Sequence, residues 1–284
     1  MSDIHFDENK GTYSYFGTVP SWRKVGQVVT EAQTAQSALE LANLDYTVHK
    51  VPIPAGIVNI NGKEMSVRDE TKFYIVREDT GQVFGTVGSA YNPLQNRDAF
   101  KFFDNLVDKD ESIYDTAGVL RGGRRVWISA KLPNHIRVGN EDIEQYVVIT
   151  NGHDGKWGCS AFLTQVRIVC NNTLTYAVRS AKNKVTIPHR ANILANIQTA
   201  HQVLGISNRY SEEISEIWNA MAKKQVSVKQ TNDYLLKLFP TNENTSITTT
   251  TDKFREEILD FINSDPTVQT KESKHTVWGL VQAV

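Results

Sequence analysis

The sequence is poor in cysteine: Cys159 and Cys170 are the only two among 284 residues. Two thiols cannot build a disulfide framework or a four-cysteine zinc site, so a reducing, cytoplasmic setting is expected. No run approaches the roughly 18 apolar residues of a membrane span, and no membrane partner is expected. The opening Met1-Ser2-Asp3-Ile4-His5 lacks the basic start and apolar run of a secretory signal. Catalytic motifs are missing too. There is no phosphate loop, no G-x-S-x-G elbow and no H-E-x-x-H pair. Gly81, Gly85 and Gly88 lack the strand–turn–helix setting of a dinucleotide fingerprint. None of the seven histidines pairs with another His or Cys at helical ligand spacing. Neither a cofactor nor a metal is expected, and an enzyme is disfavoured. What remains is a chain with 40% hydrophobic residues, enough to bury a real core.

The charge is distributed unevenly. Between Arg121 and Arg190 there are 11 basic and four acidic residues, a local charge of +7. The whole chain carries −1, which leaves −8 for the remainder. A basic segment on an otherwise acidic protein attracts polyanions, nucleic acid first, if its charges share a face. If they scatter and pair with acids elsewhere, it attracts nothing.

Along the chain, residues 1–30 read as an irregular arm carrying Tyr13, Tyr15, Phe16 and Trp22. Thr34 or Ser37 can cap a helix with an Ala38, Leu39, Leu41, Ala42 stripe. Tyr46 to Ile53 alternates like a strand. The runs 73–77 and 83–87 flank a hairpin turn at Gly81. Asn96 is expected to cap a helix bearing Phe100, Phe103, Leu106 and Val107. The Gly122-Gly123 turn leads into an alternating strand over 126–132. Tyr146–Thr150 is a second strand and Val166–Val169 a shorter third. Helices are expected over 191–204, 211–221, 228–239 and 254–262, with a threonine-rich linker at 241–251. Strands first and helices afterwards indicate α+β: an antiparallel, hairpin-rich sheet backed by helices, with a helical C-terminal region. The expected organisation is a sheet-containing core over 1–190, a helical region over 191–240 packed on it, the linker, and a terminal helical segment over 252–284.

Three segments could carry chemistry. Asn151 to Gly158 reads as a hairpin loop, in which His153 and Asp154 could share a proton or a metal and Trp157 offers a stacking face. Cys170 could be a nucleophile, but no base can be placed beside it, and buried packing is the expected role. Arg179 to Arg190 reads as a polybasic connector able to track phosphates, with Arg121, Arg124 and Arg125 as its companions on the Gly-Gly turn.

Several strings occur together: Gly123-Arg124-Arg125-Val126-Trp127, Thr150-Asn151-Gly152-His153-Asp154-Gly155, Thr164 to Leu174, and Ile187-Pro188-His189. Asp45-Tyr46-Thr47-Val48 and Tyr91 to Asn96 precede them. In order and spacing they resemble the phage/plasmid-like family built on domain of unknown function 932. Arg190 departs from the threonine common there. Gln282 stands for an asparagine in the Trp278 to Val284 segment, where the chain stops short of a further helix. The resemblance implies a mobile-element protein made in a bacterial cytoplasm, and it carries no reaction. A more distant analogy, at the level of fold, is to the Rad52-type single-strand annealing proteins.

The leading expectation is a phage- or plasmid-encoded protein, a homo-oligomer, that holds single-stranded DNA for recombination or replication. Arg121, Arg124, Arg125, Lys131, Arg167, Arg179, Lys182, Lys184 and Arg190 would neutralise phosphates, and Trp157 would stack on a base. The alternative is a host-interaction protein, such as an inhibitor of an anti-phage defence system, acting through a protein partner. An enzyme using His153, Asp154 and Cys170 comes third.

Overall fold

Thr34 opens the first helix with a reciprocal cap. Its hydroxyl accepts from Ser37 N, and the Ser37 hydroxyl accepts from Thr34 N. The computed structural model describes residues 34–101, 113–132, 135–168, 171–181, 184–190, 207–240 and 250–284, with four short strands before residue 29. Those strands are β1 (Phe6–Asp7), β2 (Gly11–Thr12), β3 (Ser14–Phe16) and β4 (Gln27–Val28). Helix α1 (Ala35–Leu41) is followed by β5 (Val48–Pro52), β6 (Gly56–Ile60), β7 (Lys63–Val67), β8 (Lys72–Arg77) and β9 (Val83–Gly88). Next come α2 (Asn96–Lys101), β10 (Ile113–Leu120), β11 (Arg125–Lys131), β12 (Ile136–Val138), β13 (Glu141–Ile143), β14 (Tyr146–Gly152) and β15 (Cys159–Thr164). Helix α3 (Asn171–Ser180) and β16 (Lys184–Ile187) precede the helices α4 (Ser207–Lys223), α5 (Val228–Leu238), α6 (Thr250–Ser264) and α7 (Val277–Ala283). The protein is α+β, with antiparallel sheets and a helical C-terminal region. No described helix is long and apolar enough to cross a membrane.

The main sheet has the order β16-β15-β14-β11-β10-β3-β4, antiparallel except for β3–β4. Its central strands are buried on both faces, so their alternation sorts side chains between two cores and not between core and water. Val126, Ile128, Val147, Ile149 and Ala161 join the core that includes α1, α2 and the three-stranded sheet β5-β8-β9. Trp127, Tyr146, Val148 and Phe162 join the core under α3, with Leu174 and Ala177.

The chain divides into two compact units, 1–134 with 144–207 and 135–143 with 208–284. The second unit takes the small hairpin β12–β13 out of the middle of the first. Ile136 and Val138 bury with Trp278, against Ile143, Ile214, Trp218 and Met221. The Trp278 indole donates to Glu141 and lies 4.8 Å from the Trp218 ring. A Ser227–Gln230 capping box starts α5.

Two expected elements differ. The expected strand over 166–169 is, in its described part, a bend and an irregular stretch; the strand beside β14 is instead Cys159–Thr164. The chain leaves the sheet at Thr164, whose hydroxyl accepts from Val166 N, and Ile168 buries in the core under α3. The connector before His189 is not a loop over 184–187 but the edge strand β16, paired with β15 from Cys159↔Ile187 to Phe162↔Lys184. Asn96 does not cap. Its side chain is buried and used elsewhere, as described below. Cys170, Lys182, Trp22, the helix expected over 191–204 and most of the 241–251 linker lie outside the described residues.

Candidate functional site

The loop from β14 to β15 is built around Asp154. One carboxylate oxygen accepts from Lys156 N at 2.9 Å and Trp157 N at 3.1 Å, folding the loop back on itself. The other faces the Arg125 guanidinium at 3.4 Å. Gly155 takes the positive φ (72°) that this turn needs. Gly152 allows the return. A Cβ there would sit 2.5 Å from the Trp157 carbonyl oxygen. Trp157 is thereby fixed, with its indole N–H on Thr150 Oγ1 and the Arg125 guanidinium 4.2 Å over its ring. Burial works against the Arg125 charge, and Asp154 offsets part of that cost.

Behind the loop lies a buried polar cluster. Asn96 Nδ2 donates to Leu44 O, so its Oδ1 is an acceptor. That oxygen receives Asn151 Nδ2 and stands 2.8 Å from His153 Nε2. His153 therefore carries its proton on Nε2. His189 Nδ1 accepts from Leu94 N, which places its proton on Nε2. Burial, with a lesser push from His189, lowers the His153 pKa to about 3. Burial lowers that of His189 to about 4, against hydrogen bonding at Asn92 and the Asp154 charge. Both imidazoles are neutral at pH 7. Among the described residues, Asn151 Oδ1, His153 Nδ1 and His189 Nε2 have no hydrogen-bond partner.

Tyr91 covers His189, the rings 5.0 Å apart and 8° from parallel, and its hydroxyl donates to Gly152 O. Lys50 holds this approach by donating to the carbonyls of Ser89 and Tyr91. Against these groups opens a pocket of about 400 Å³, whose lining includes Tyr91, Lys156, Trp157, Thr186, His189 and Arg190. Lys156 and Arg190 are exposed at it and Trp157 is half-buried. Stretches far apart in sequence, around 91–96, 125, 151–157 and 187–190, meet here.

The family model described as Domain of unknown function (DUF932) matches residues 83–284. The chain belongs to that DUF932 family. No curated protein and no solved structure matches it. The pocket lining and the buried side chains Asn96, Asn151, His153 and His189 fall within the DUF932 match, whereas Lys50, Leu44 and β6–β7 precede it.

The expected basic residues have four different fates. Arg125 braces Trp157, and Arg190 lies at the same pocket. Arg124 donates to the carbonyls of Phe84, Val83 and Arg121, which pins the β10–β11 turn to β9. Arg167 makes a bidentate pair with Asp115 at 2.7 and 2.8 Å. Lys131 pairs with Glu144, and Lys184 donates to Val178 O. Arg121 and Arg179 are exposed, and Lys182 lies outside the described residues. His153 and Asp154 do not share a proton. Their partners are Asn96 for one and Arg125 with two loop amides for the other. Among the described residues no group of three or more His, Cys, Asp and Glu side chains could hold a metal ion. Tyr91, Lys156 and His189 join the site beyond the residues expected from the sequence. Lys156 was signalled by its place beside Trp157, whereas nothing local marks the Tyr91–His189 stack.

Proposed function

We propose that the first unit binds single-stranded nucleic acid, DNA first, and seats one nucleotide in the pocket beside Trp157. The observation that carries this reading is the make-up of that pocket: a braced indole, a Tyr–His stack and two exposed cations around a volume suited to a small ligand. A base stacks on an aromatic face whatever its identity, and Lys156 and Arg190 neutralise the flanking phosphates. The exposed Arg121, Arg179 and Lys184 extend the path of the strand. Arg124, Arg125, Lys131 and Arg167 act through the positions they hold and not by direct phosphate contact. A role in recombination or replication of a phage or plasmid, in a bacterial cytoplasm, belongs to the same proposal and rests on the family resemblance and the scarcity of cysteine.

The test is anisotropy of a labelled single-stranded oligonucleotide across a salt series. Changing Lys156→Ala and Arg190→Ala together weakens binding about tenfold or more and flattens the salt slope by about 0.7 per lost phosphate contact. The loss is independent of base sequence, because phosphates carry none. Absence of binding by the wild type at low salt overturns the reading and favours a protein partner.

A further inference from the structure

Tyr176, on α3, takes no part in the pocket. Its ring is 64% exposed, while Leu174 and Ala177 bury in the core under the helix. A single exposed aromatic means little by itself. Its surroundings give it meaning. Arg179, also exposed, stands at the i, i+3 spacing that makes two helical side chains neighbours. Lys184 Nζ donates to Val178 O, which ties the start of β16 to the same end of α3. Val185 and Ile187 turn into the core that includes α1, so Lys184 and Thr186 project from the other face of the sheet, the one α3 covers. Thr186 lines the pocket, and it lies two residues, about 7 Å of strand, beyond Lys184. The exposed side chains of Tyr176, Arg179, Lys184 and Thr186 thus lead from α3 to the pocket beside Trp157.

These elements bring no acid of their own. The chain has no Asp or Glu between Asp154 and Glu212. The acids that flank the sheet strands are occupied: Asp154 by Arg125 and two loop amides, Asp115 by Arg167, and Glu144 by Lys131 and the Tyr146 hydroxyl. The other acids described between residues 34 and 134 belong to α1, α2, the β5-β8-β9 layer and their connections, and the core of that layer is on the opposite face of the sheet. An exposed ring among cations with no acid beside them suits single-stranded nucleic acid, whose unstacked bases take the ring and whose phosphates take the cations. We propose that Tyr176 is a second base-stacking platform, for another nucleotide of the strand that seats one base beside Trp157. The proposal rests on the nucleic-acid reading above and gives the strand a course, along β16, with Lys184 and Arg179 on the phosphates between the two platforms.

The experiment uses the full chain and a labelled oligothymidylate of about 12 nucleotides, within the usual site sizes of such grooves. Tyr176→Leu, exposed and therefore harmless to folding by circular dichroism, weakens binding about tenfold, the loss expected for one base–aromatic stack. It leaves the salt slope at the wild-type value, because a ring releases no counterion. Tyr176→Phe keeps the ring and binds within about twofold of wild type. In the wild-type chain, an oligonucleotide carrying 5-iododeoxyuridine forms photoadducts on the Trp157 peptide and on the Tyr176 peptide, read by mass spectrometry. A leucine variant that binds as tightly as wild type, a phenylalanine variant as weak as the leucine one, or an adduct on the Trp157 peptide without one on the Tyr176 peptide overturns the second platform and leaves the pocket reading standing. A wild type that binds no oligonucleotide at low salt overturns that reading and this proposal with it.

Discussion

Two hairpins in the first unit carry the same dipeptide and use it in opposite ways. In β6–β7, Asn61-Gly62 is the turn, and the ribbon around it is exposed throughout. In β14–β15, Asn151-Gly152 lies inside the strand, paired with Val126 and Arg125 of β11, and the turn comes later at 153–158. The left-handed preference of Asn-Gly is a local bias of limited size. Asn151 is drawn away from it by bonds to Leu94 O and Asn96 Oδ1 and by full burial. Where tertiary contacts are dense, they decide what a turn signal becomes; where they are absent, the signal acts as written.

The largest effect that would break this comparison comes from the two ribbons' glycines. A Cβ at Gly152 meets the Trp157 carbonyl oxygen at 2.5 Å, and one at Gly56 meets nothing within 4 Å. Gly152→Ala is expected to destabilise the first unit by about 2–4 kcal/mol, and Gly56→Ala to stay within about 0.5 kcal/mol of wild type. Urea titrations of the two variants measure the difference, and equal midpoints would remove the contrast.

A smaller effect separates the polar cluster by pH. The unfolded chain binds protons on His153 and His189 as pH falls below 6.5, and the folded chain does not until about 3 and about 4. The unfolded state then holds more protons, so stability is fully present above pH 6.5 and is lost as pH falls toward 4. The slope approaches about 1.4 kcal/mol per pH unit for each histidine. Thermal melts from pH 7 to 4.5 test this, and a flat Tm would contradict the burial of both rings. The exposed ribbon contains no histidine.

The smallest effect is kinetic. Burial pushes the Cys159 thiol up to about 12, in the strand that faces the β5-β8-β9 core. Alkylation at neutral pH, read on the Cys159 peptide by mass spectrometry, is expected to wait for unfolding. Labelling as fast in buffer as in denaturant would show the strand to be open.

Much of the fold was legible in the sequence because it rests on short-range chemistry. The Thr34 cap, the 73–87 hairpin, the Gly122-Gly123 turn and the helices near 211–221, 228–239 and 254–262 follow from periodicity and capping over a few residues. The ribbon at 56–67 carries an equally plain local signal in Asn61-Gly62, and it is absent from the expected elements. The strand expected at 166–169 failed because alternation alone cannot tell a sheet edge from a chain turning beneath a helix. The pairing of β12–β13 with the C-terminal helices left no periodic trace at all.

The sequence by itself determined the α+β class, the Thr34 cap, the turns at Gly81 and Gly122-Gly123, and the +7 excess between Arg121 and Arg190. Only the tertiary structure decided which of those charges meet an acid or a carbonyl and which stand at the pocket. It also drew Asn96, Asn151, His153 and His189 into one buried cluster. The reason is range. Caps and turns are settled within about four residues, whereas Arg167 finds Asp115 and Tyr91 finds His189 only after the strand register has brought distant segments together.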